Sequence, residues 1–285
     1  MVLQLFEEDY QYFPSLKEIR DGLIKAQLQI IEKEKESYID APSLHMLKIS
    51  YAEKWRYLFK LAKFGDINKP LTPHILSDPS HKVTKHLLYI YSMETFIYAD
   101  LNRACRDKDT NQLEFYGPYA AALSYIIFAA NQNRRDKLKR HTQLYRGLRL
   151  PHQEVMQLQQ GQIITLQGYT STSLFKDVAL NFALVNYSKG GVDASDDSSQ
   201  SLKRISSFTD SSLVVPVVYH IDFFADKCLF EMSKGFSSYH EEREVLIQDG
   251  LKYSVTEVTK QTCSKSGKEY YSVSLKHPPV KPTSK

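Results

Sequence analysis

The spacing of apolar residues divides the chain into two textures. From Ser15 onward it is helical: Leu16, Ile19, Leu23, Ala26 and Ile30 recur at alternating intervals of three and four, which places them on one helix face. Ser15, with Glu18 three residues on, fits a capping box at the start of that helix. The pattern lasts about two heptads, too short for a coiled coil, so the helix is expected to pack on its own domain with the EKEKE run in solvent. A second helix is expected from Ser43 to about Lys63, with Met46, Ile49, Ala52, Trp55 or Arg56, and Phe59 at helical spacing as core. Gly65, Pro70, Pro73 and Pro79 then punctuate a loop-rich boundary. Residues 82–106 and 117–131 read as two more helices, the second apolar nearly all round and therefore buried.

From about Thr142 the texture changes to short strands: QLYRGLRL, QIITLQGYTSTS, SLVVPVVYHIDF, EVLI, KYSVTEVT and EYYSVSL. Between the second and third of these, residues 188–212 are rich in Ser, Asp and Gly and poor in apolar side chains, so that stretch is expected to be a flexible insertion. Within it, Lys203-Arg204-Ile205-Ser206 would suit a basophilic kinase, beside the plainer reading of an unmodified loop. Helices first and strands afterwards give an α+β fold, with a helical N-terminal region over residues 1–81 and a second domain over 82–285.

Composition excludes more than it proposes. Apolar and charged residues make up 42% and 25% of the chain, ordinary for a globular protein, and a net charge of +4 is too mild to point to nucleic acid or a membrane. Cys105, Cys228 and Cys263 are widely spaced, with no zinc-like Cys/His pattern and no implied disulfide framework. His81 and His86 stand five apart, off a common helical face, so no metal is expected. The N-terminus lacks the features of a signal peptide and no apolar run is long enough for a membrane span, so the expected location is cytoplasmic. The basic run NRRDKLKRH (133–141) reads as a solvated loop.

Three strand-associated signals carry candidate chemistry. In Leu144-Tyr145-Arg146-Gly147 an arginine lies inside an apolar strand; it either pairs with an acid of the fold or uses its guanidinium fork on a phosphate or diphosphate. Gly147 beside it lets a ligand or another backbone come close. In Gly168-Tyr169-Thr170-Ser171-Thr172-Ser173, alternation puts Ser171 and Ser173 on one face, where the hydroxyls serve the sheet edge, the cap of a following helix, or a catalytic group. Ser173 and Asp177 are the candidate caps. In Glu242-Arg243-Glu244, followed by Val245-Leu246-Ile247, a strand starting near Glu242 would set both glutamates on one face and Arg243 on the other. Two carboxylates side by side at a buried strand are costly unless they do acid–base work or steady a cation.

These three motifs, in this order and spacing, resemble the arginine–serine–glutamate class of mono-ADP-ribosyltransferases, and most closely the branch that uses NAD to modify protein arginines. The likeness runs from about Lys82 to Leu275, and the resemblance implies a split mixed β-sandwich core behind a helical part. It further implies cleavage of the nicotinamide–ribose bond of NAD through an oxocarbenium-like transition state, with NAD as co-substrate and no metal. By motif position, Glu244 would stabilise the ribosyl cation, Ser171 would orient Glu244, and Arg146 would hold the diphosphate or adjoining ribose, with Gly147 beside it. Glu242 would orient and deprotonate the acceptor guanidinium. Phe175 is the candidate against the nicotinamide ring, with core packing the alternative, and Phe236 and Tyr239 would help recognise the target. Glu241 and His240 are expected in solvent. The implied partner is a protein with an accessible arginine; an NAD glycohydrolase that uses water, or a silent NAD-binding module, are the competing readings.

Overall fold

The structure, a computed structural model, describes residues 12–35, 60–61, 63–92, 96–133, 142–184, 214–224, 228–232, 236–237 and 240–277. The expected helix around Trp55, the 188–212 insertion, Ser206, the 133–141 run apart from its first residue, and Tyr239 lie outside the described residues. The chain forms two compact units, residues 1–133 with 235–238, and residues 134–234 with 239–285.

The first unit is helical: α1 (Leu16–Lys35), α2 (Pro73–Ser77), α3 (Lys82–Ser92), α4 (Phe96–Asp107) and α5 (Thr110–Asn133). The stripe Leu16, Ile19, Leu23 and Ala26 is fully inward, at 4% exposure or less. The capping box forms: Glu18 N–H donates to Ser15 Oγ at 3.2 Å, and Ser15 N–H donates to the Glu18 carboxylate at 2.7 Å. That reciprocal bonding holds the Glu18 pKa below the usual range. Gly22 lets α1 approach α5, since a Cβ there would stand 2.3 Å from the Phe115 carbonyl oxygen.

The described residues of 82–106 are helical on both sides of residues 93–95, as α3 to Ser92 and α4 from Phe96. One helical expectation is corrected. Helix α5 begins at Thr110 rather than at residue 117, because the Asp109 carboxylate caps it by accepting the Gln112 N–H. Gly117-Pro118, which reads as a start, lies inside the helix. The apolar stretch is buried as expected, with Tyr119, Ala120, Ala122, Leu123, Ile126 and Ile127 fully shielded.

Among the described residues the second unit carries eight strands and two α-helices: β1 (Thr142–Pro151), α6 (His152–Gln157), β2 (Ile163–Thr165), β3 (Thr170–Ser173), α7 (Lys176–Leu184), β4 (Val214–Phe223), β5 (Leu229–Glu231), β6 (Glu244–Ile247), β7 (Lys252–Thr262) and β8 (Glu269–Lys276). They form one mixed sheet in the order β2-β7-β8-β4-β1-β3-β6-β5. Only β4 and β8 run parallel. Strands β1 and β3 meet at a single pair, Tyr145 with Ser173, so the sheet is nearly severed between its two halves. One core nevertheless joins them, from Leu144, Val217, Ile221 and Val273 in one half to Val245 and Ile247 in the other.

The run 162–173 is not one strand. It divides at Gly168, whose φ of +83° is left-handed, into β2 paired with β7 and β3 paired with β6. On the face of β1 away from that core lies α7. Gly147 takes its meaning there: a Cβ would meet the Ala179 carbonyl oxygen at 1.8 Å and the Ala183 nitrogen at 2.9 Å. Of the two possibilities open at Gly147, the structure supplies the backbone.

Candidate active site

Ser171 is the joint of the site. In the β3–β6 ladder Ser173 stands opposite Glu244 and Ser171 opposite Leu246, so Ser171 and Glu244 are diagonal neighbours on one face. The Ser171 hydroxyl donates to Glu244 Oε1 at 2.7 Å. From β1, Arg146 crosses the near-severed seam and donates through Nη1 to the Ser171 backbone carbonyl at 2.9 Å. One residue thus receives the arginine through its main chain and holds the glutamate through its side chain. Both Glu244 and Ser173 are buried, at 8% and 4% exposure.

The glutamate pair is built differently from the period-two expectation. Strand β6 starts at Glu244; Glu242 ends a short 3₁₀ turn (His240–Glu242), and Arg243 between them is left-handed at φ +48°. Alternation therefore does not apply across 242–244. The kink is held from both sides. The Ser173 hydroxyl donates to the Glu242 carbonyl, Leu174 N–H donates to the Arg243 carbonyl at 3.2 Å, and Met232 N–H to that of Glu244 at 2.8 Å. Arg243 points its guanidinium at Glu231 of β5, with Nε and Nη2 on Oε1 at 3.0 and 2.7 Å.

The two carboxylates still feel each other. Burial pushes the Glu242 carboxyl above its ordinary pKa, and the Glu244 charge adds to the rise. Arg146, by contrast, has no carboxylate within ion-pair distance among the described residues, and its one hydrogen bond is to a neutral carbonyl. Its charge reaches Tyr219, directly opposite on β4, and Tyr253. Burial pushes the Tyr219 phenol up to about 12 and Tyr253 further, and Arg146 pulls against both. The acid-paired alternative for this arginine is not what the described residues contain.

The remaining candidates fall as follows. Phe175 is 48% exposed, which removes the core-packing alternative; its N–H donates to Ser173 Oγ at 2.9 Å, so the ring leaves the chain two residues from the ladder. Ser173 accepts that bond at the entrance of α7, whereas Asp177 pairs with Lys265 on the β7–β8 turn instead of capping. Phe236 is buried at 7% exposure and groups with the helical unit, so it is not an exposed anchor. Glu241 is exposed as expected, and the His240 side chain lies outside the described residues. All three cysteines are free thiols, and among the described residues no group of three or more His, Cys, Asp or Glu could hold a metal. No described helix is long and apolar enough to cross a membrane.

Sequence reasoning missed Asp249, buried at 7% exposure just past β6, whose carboxylate accepts the Gly168 N–H. The Asp249-Gly250 pair is a readable turn signal, but nothing in it announces a partner 81 residues earlier. Strand β5 was also missed, being only Leu229–Glu231.

The sequence that builds this seam matches the models of NAD-using ADP-ribosyltransferases. The chain belongs to the ADP-ribosyltransferase exoenzyme family, whose model matches residues 134–277 and so spans Arg146, Ser171 and both glutamates. The model described as NAD:arginine ADP-ribosyltransferase matches residues 47–186, which takes in Arg146 and Ser171 but ends before the glutamates. Among solved structures, the chain is similar to Vis toxin, an ADP-ribosyltransferase from Vibrio splendidus, at 16% identity over 69% of this chain and 73% of that one, TM-score 0.46. It is similar to the ADP-ribosyltransferase HopU1 of Pseudomonas syringae pv. Tomato DC3000 at 14% identity over 71% and 80%, TM-score 0.46. It is also similar to C3stau2 from S. aureus at 15% identity over 71% and 91%, TM-score 0.45. No curated protein sequence matches the chain.

Proposed function

We propose that this ADP-ribosyltransferase transfers ADP-ribose from NAD to arginine side chains of target proteins, with release of nicotinamide. The observation that carries the reading is the pairing of roles at the seam. Glu244 is held by Ser171 at 2.7 Å, while Glu242, the second carboxylate, lies close enough to have its pKa raised by Glu244. In the proposed mechanism Arg146, which has no carboxylate partner among the described residues, holds the diphosphate of NAD or the adjoining ribose through its remaining donors. Glycosidic cleavage leaves positive charge on the ribose ring, and the fixed Glu244 carboxylate stabilises it without reorganising. Nicotinamide departs as a neutral group, so no acid has to protonate it.

Glu242 then acts on the acceptor. A guanidinium is protonated at neutral pH and is a poor nucleophile, so a carboxylate must orient it and take its proton as the new C–N bond forms. A raised pKa makes Glu242 a stronger base than an ordinary glutamate. Phe175, exposed and two residues past Ser173, is placed in this reading against the nicotinamide ring, and Gly147 contributes by letting α7 close on β1. Tyr239 and Phe236 remain proposed contributors to target recognition. For Phe236 the role is to shape its loop from within, since it is buried. The match of residues 47–186 to the NAD:arginine model supports arginine as acceptor.

The test is nicotinamide release from NAD with and without agmatine, beside Glu244→Gln and Glu242→Gln. The expected result is ADP-ribosyl-agmatine from the wild type, strongly reduced release from Glu244→Gln, and preserved release with strongly reduced transfer from Glu242→Gln. Release that agmatine neither speeds nor captures would make the protein an NAD glycohydrolase or assign another acceptor. NAD binding with no release would make it a silent module.

A further inference from the structure

The strand that carries Ser171 sets its own register only weakly. Its sequence, Thr170-Ser171-Thr172-Ser173, repeats itself after two residues, so sliding it by two along β6 returns the same residue types to the same faces. Such a slide would bring Ser173 to the position opposite Leu246 that Ser171 now occupies, or Ser171 opposite Glu244. Thr172, whose hydroxyl donates to the Val245 carbonyl at 2.6 Å, would be replaced in that bond by Thr170 in one direction of slide. Each slide keeps one of the two side-chain bonds, to Glu244 or to the Val245 carbonyl, and loses the other, so the four pairs oppose a slip only weakly.

The neighbouring pair is patterned. In β2 and β7, buried Tyr253 stands opposite Ile164, and Ile163 to Thr165 face Ser254 to Lys252. Between this pair and the β3–β6 pair both strands turn a corner, with four residues on each side, Leu166–Tyr169 and Gln248–Leu251. The corner has a left-handed glycine on each strand, Gly168 at φ +83° and Gly250 at φ +79°. Main-chain bonds persist up to it: Gly250 N–H to Leu166 O at 3.1 Å and Leu166 N–H to Leu251 O at 3.2 Å. At the corner itself, the Gly168 N–H is taken by a side chain, the buried carboxylate of Asp249, which also accepts from Gly250 N–H.

We propose that Asp249 is a register lock: it carries the register of the apolar-patterned β2–β7 pair across the corner to the β3–β6 pair, and so is a positioning residue for Ser171 against Glu244. The register it preserves is the one in which Gly168 falls opposite Asp249 in continuation of both ladders. Burial without a counter-charge opposes the ionised carboxyl, while the two N–H donors favour it. A glycine at position 168 is required because the donor is presented from a left-handed residue.

The activity arm of the test rests on the function proposed above; the register arm does not. In the wild-type background, cysteine pairs Thr172→Cys with Val245→Cys are expected to cross-link, and Thr170→Cys with Val245→Cys and Thr172→Cys with Ile247→Cys are not. In Asp249→Ala the latter two pairs are expected to cross-link as well. Nicotinamide release by Asp249→Ala is expected to fall about a hundredfold in kcat, the scale of a small misplacement of catalytic groups, with KM for NAD little changed. Asp249→Asn, which keeps an acceptor oxygen for Gly168, is expected to restore most of the kcat. Cross-linking that stays native in Asp249→Ala would overturn the lock whatever happens to turnover. Slipped cross-linking with unchanged kcat would overturn the positioning role.

Discussion

The two units each contain a knot of charged and polar residues, and they treat charge in opposite ways. In the helical unit, Asp100 is paired with Arg103 one turn along α4 and accepts from Gln27 Nε2 at 2.9 Å, while Gln27 also donates to the Tyr116 hydroxyl. The charges of Asp100 and Arg103 are matched there, although the buried Gln27 Oε1 has no partner among the described residues. At the seam of the sheet, Arg146 meets only a carbonyl among the described residues, and Glu242 lies within reach of the like charge of Glu244. A charge-matched knot holds helices together; an unmatched one marks a candidate functional site. In the mechanism proposed above, NAD, with an anionic diphosphate and a ribose that becomes cationic in the transition state, would answer both deficits at the seam. Even Arg243, which looks like part of the acidic motif, belongs to the charge-matched kind through Glu231.

Breaking the unmatched knot should cost turnover and leave folding alone. Glu244→Gln is expected to lower kcat for nicotinamide release by about 10²–10³-fold, the scale of losing one preorganised electrostatic contact, with the thermal midpoint unchanged or raised. Glu242→Gln is expected to lower agmatine transfer by about a hundredfold, within the range of general-base losses, while nicotinamide release survives. Arg146→Lys keeps the charge and loses the fork, so KM for NAD should rise about tenfold with a smaller change in kcat, one good hydrogen bond being worth ~1.4 kcal/mol here.

The same contrast predicts a pH effect. Glu242 must be ionised to take the acceptor's proton, and its pKa lies above the ordinary glutamate value through burial and Glu244. The ratio of agmatine transfer to nicotinamide release should therefore fall on acidification at a higher pH than an exposed glutamate would set. Glu242→Gln should flatten that profile. In the charge-matched knot the smallest catalytic effect is expected: Asp100→Ala should cost about 2 kcal/mol of stability, since it strands Gln27 and Arg103, and leave kcat within twofold of wild type at a temperature where the variant is folded.

Much of this was legible from spacing and chemistry. The stripe of α1 and its capping box, and the strands β1, β4, β6, β7 and β8, follow from apolar periodicity within a few residues, because each is a local consequence of which face is buried. Arg146, Ser171 and Glu244 were readable as motifs, and the structure brings them together. What escaped was decided by single backbone states and long-range partners. Gly168 splits a strand that reads as continuous, and left-handed Arg243 breaks an alternation that reads as clean. Asp249 finds its partner 81 residues away.

Gly147 has a consequence for anyone scanning this chain by mutation. The oxygen of Ala179 stands where the first carbon of any side chain would go, so even alanine must lift α7 from β1. A screen that scores only product would rank Gly147 beside Glu244, and its place next to Arg146 in the sequence would make that ranking persuasive. The two lesions part company in the soluble fraction: Gly147→Ala should be lost from it, whereas Glu244→Gln should accumulate as folded, inert protein. Yield, measured alongside turnover, tells a hinge of assembly from an instrument of chemistry.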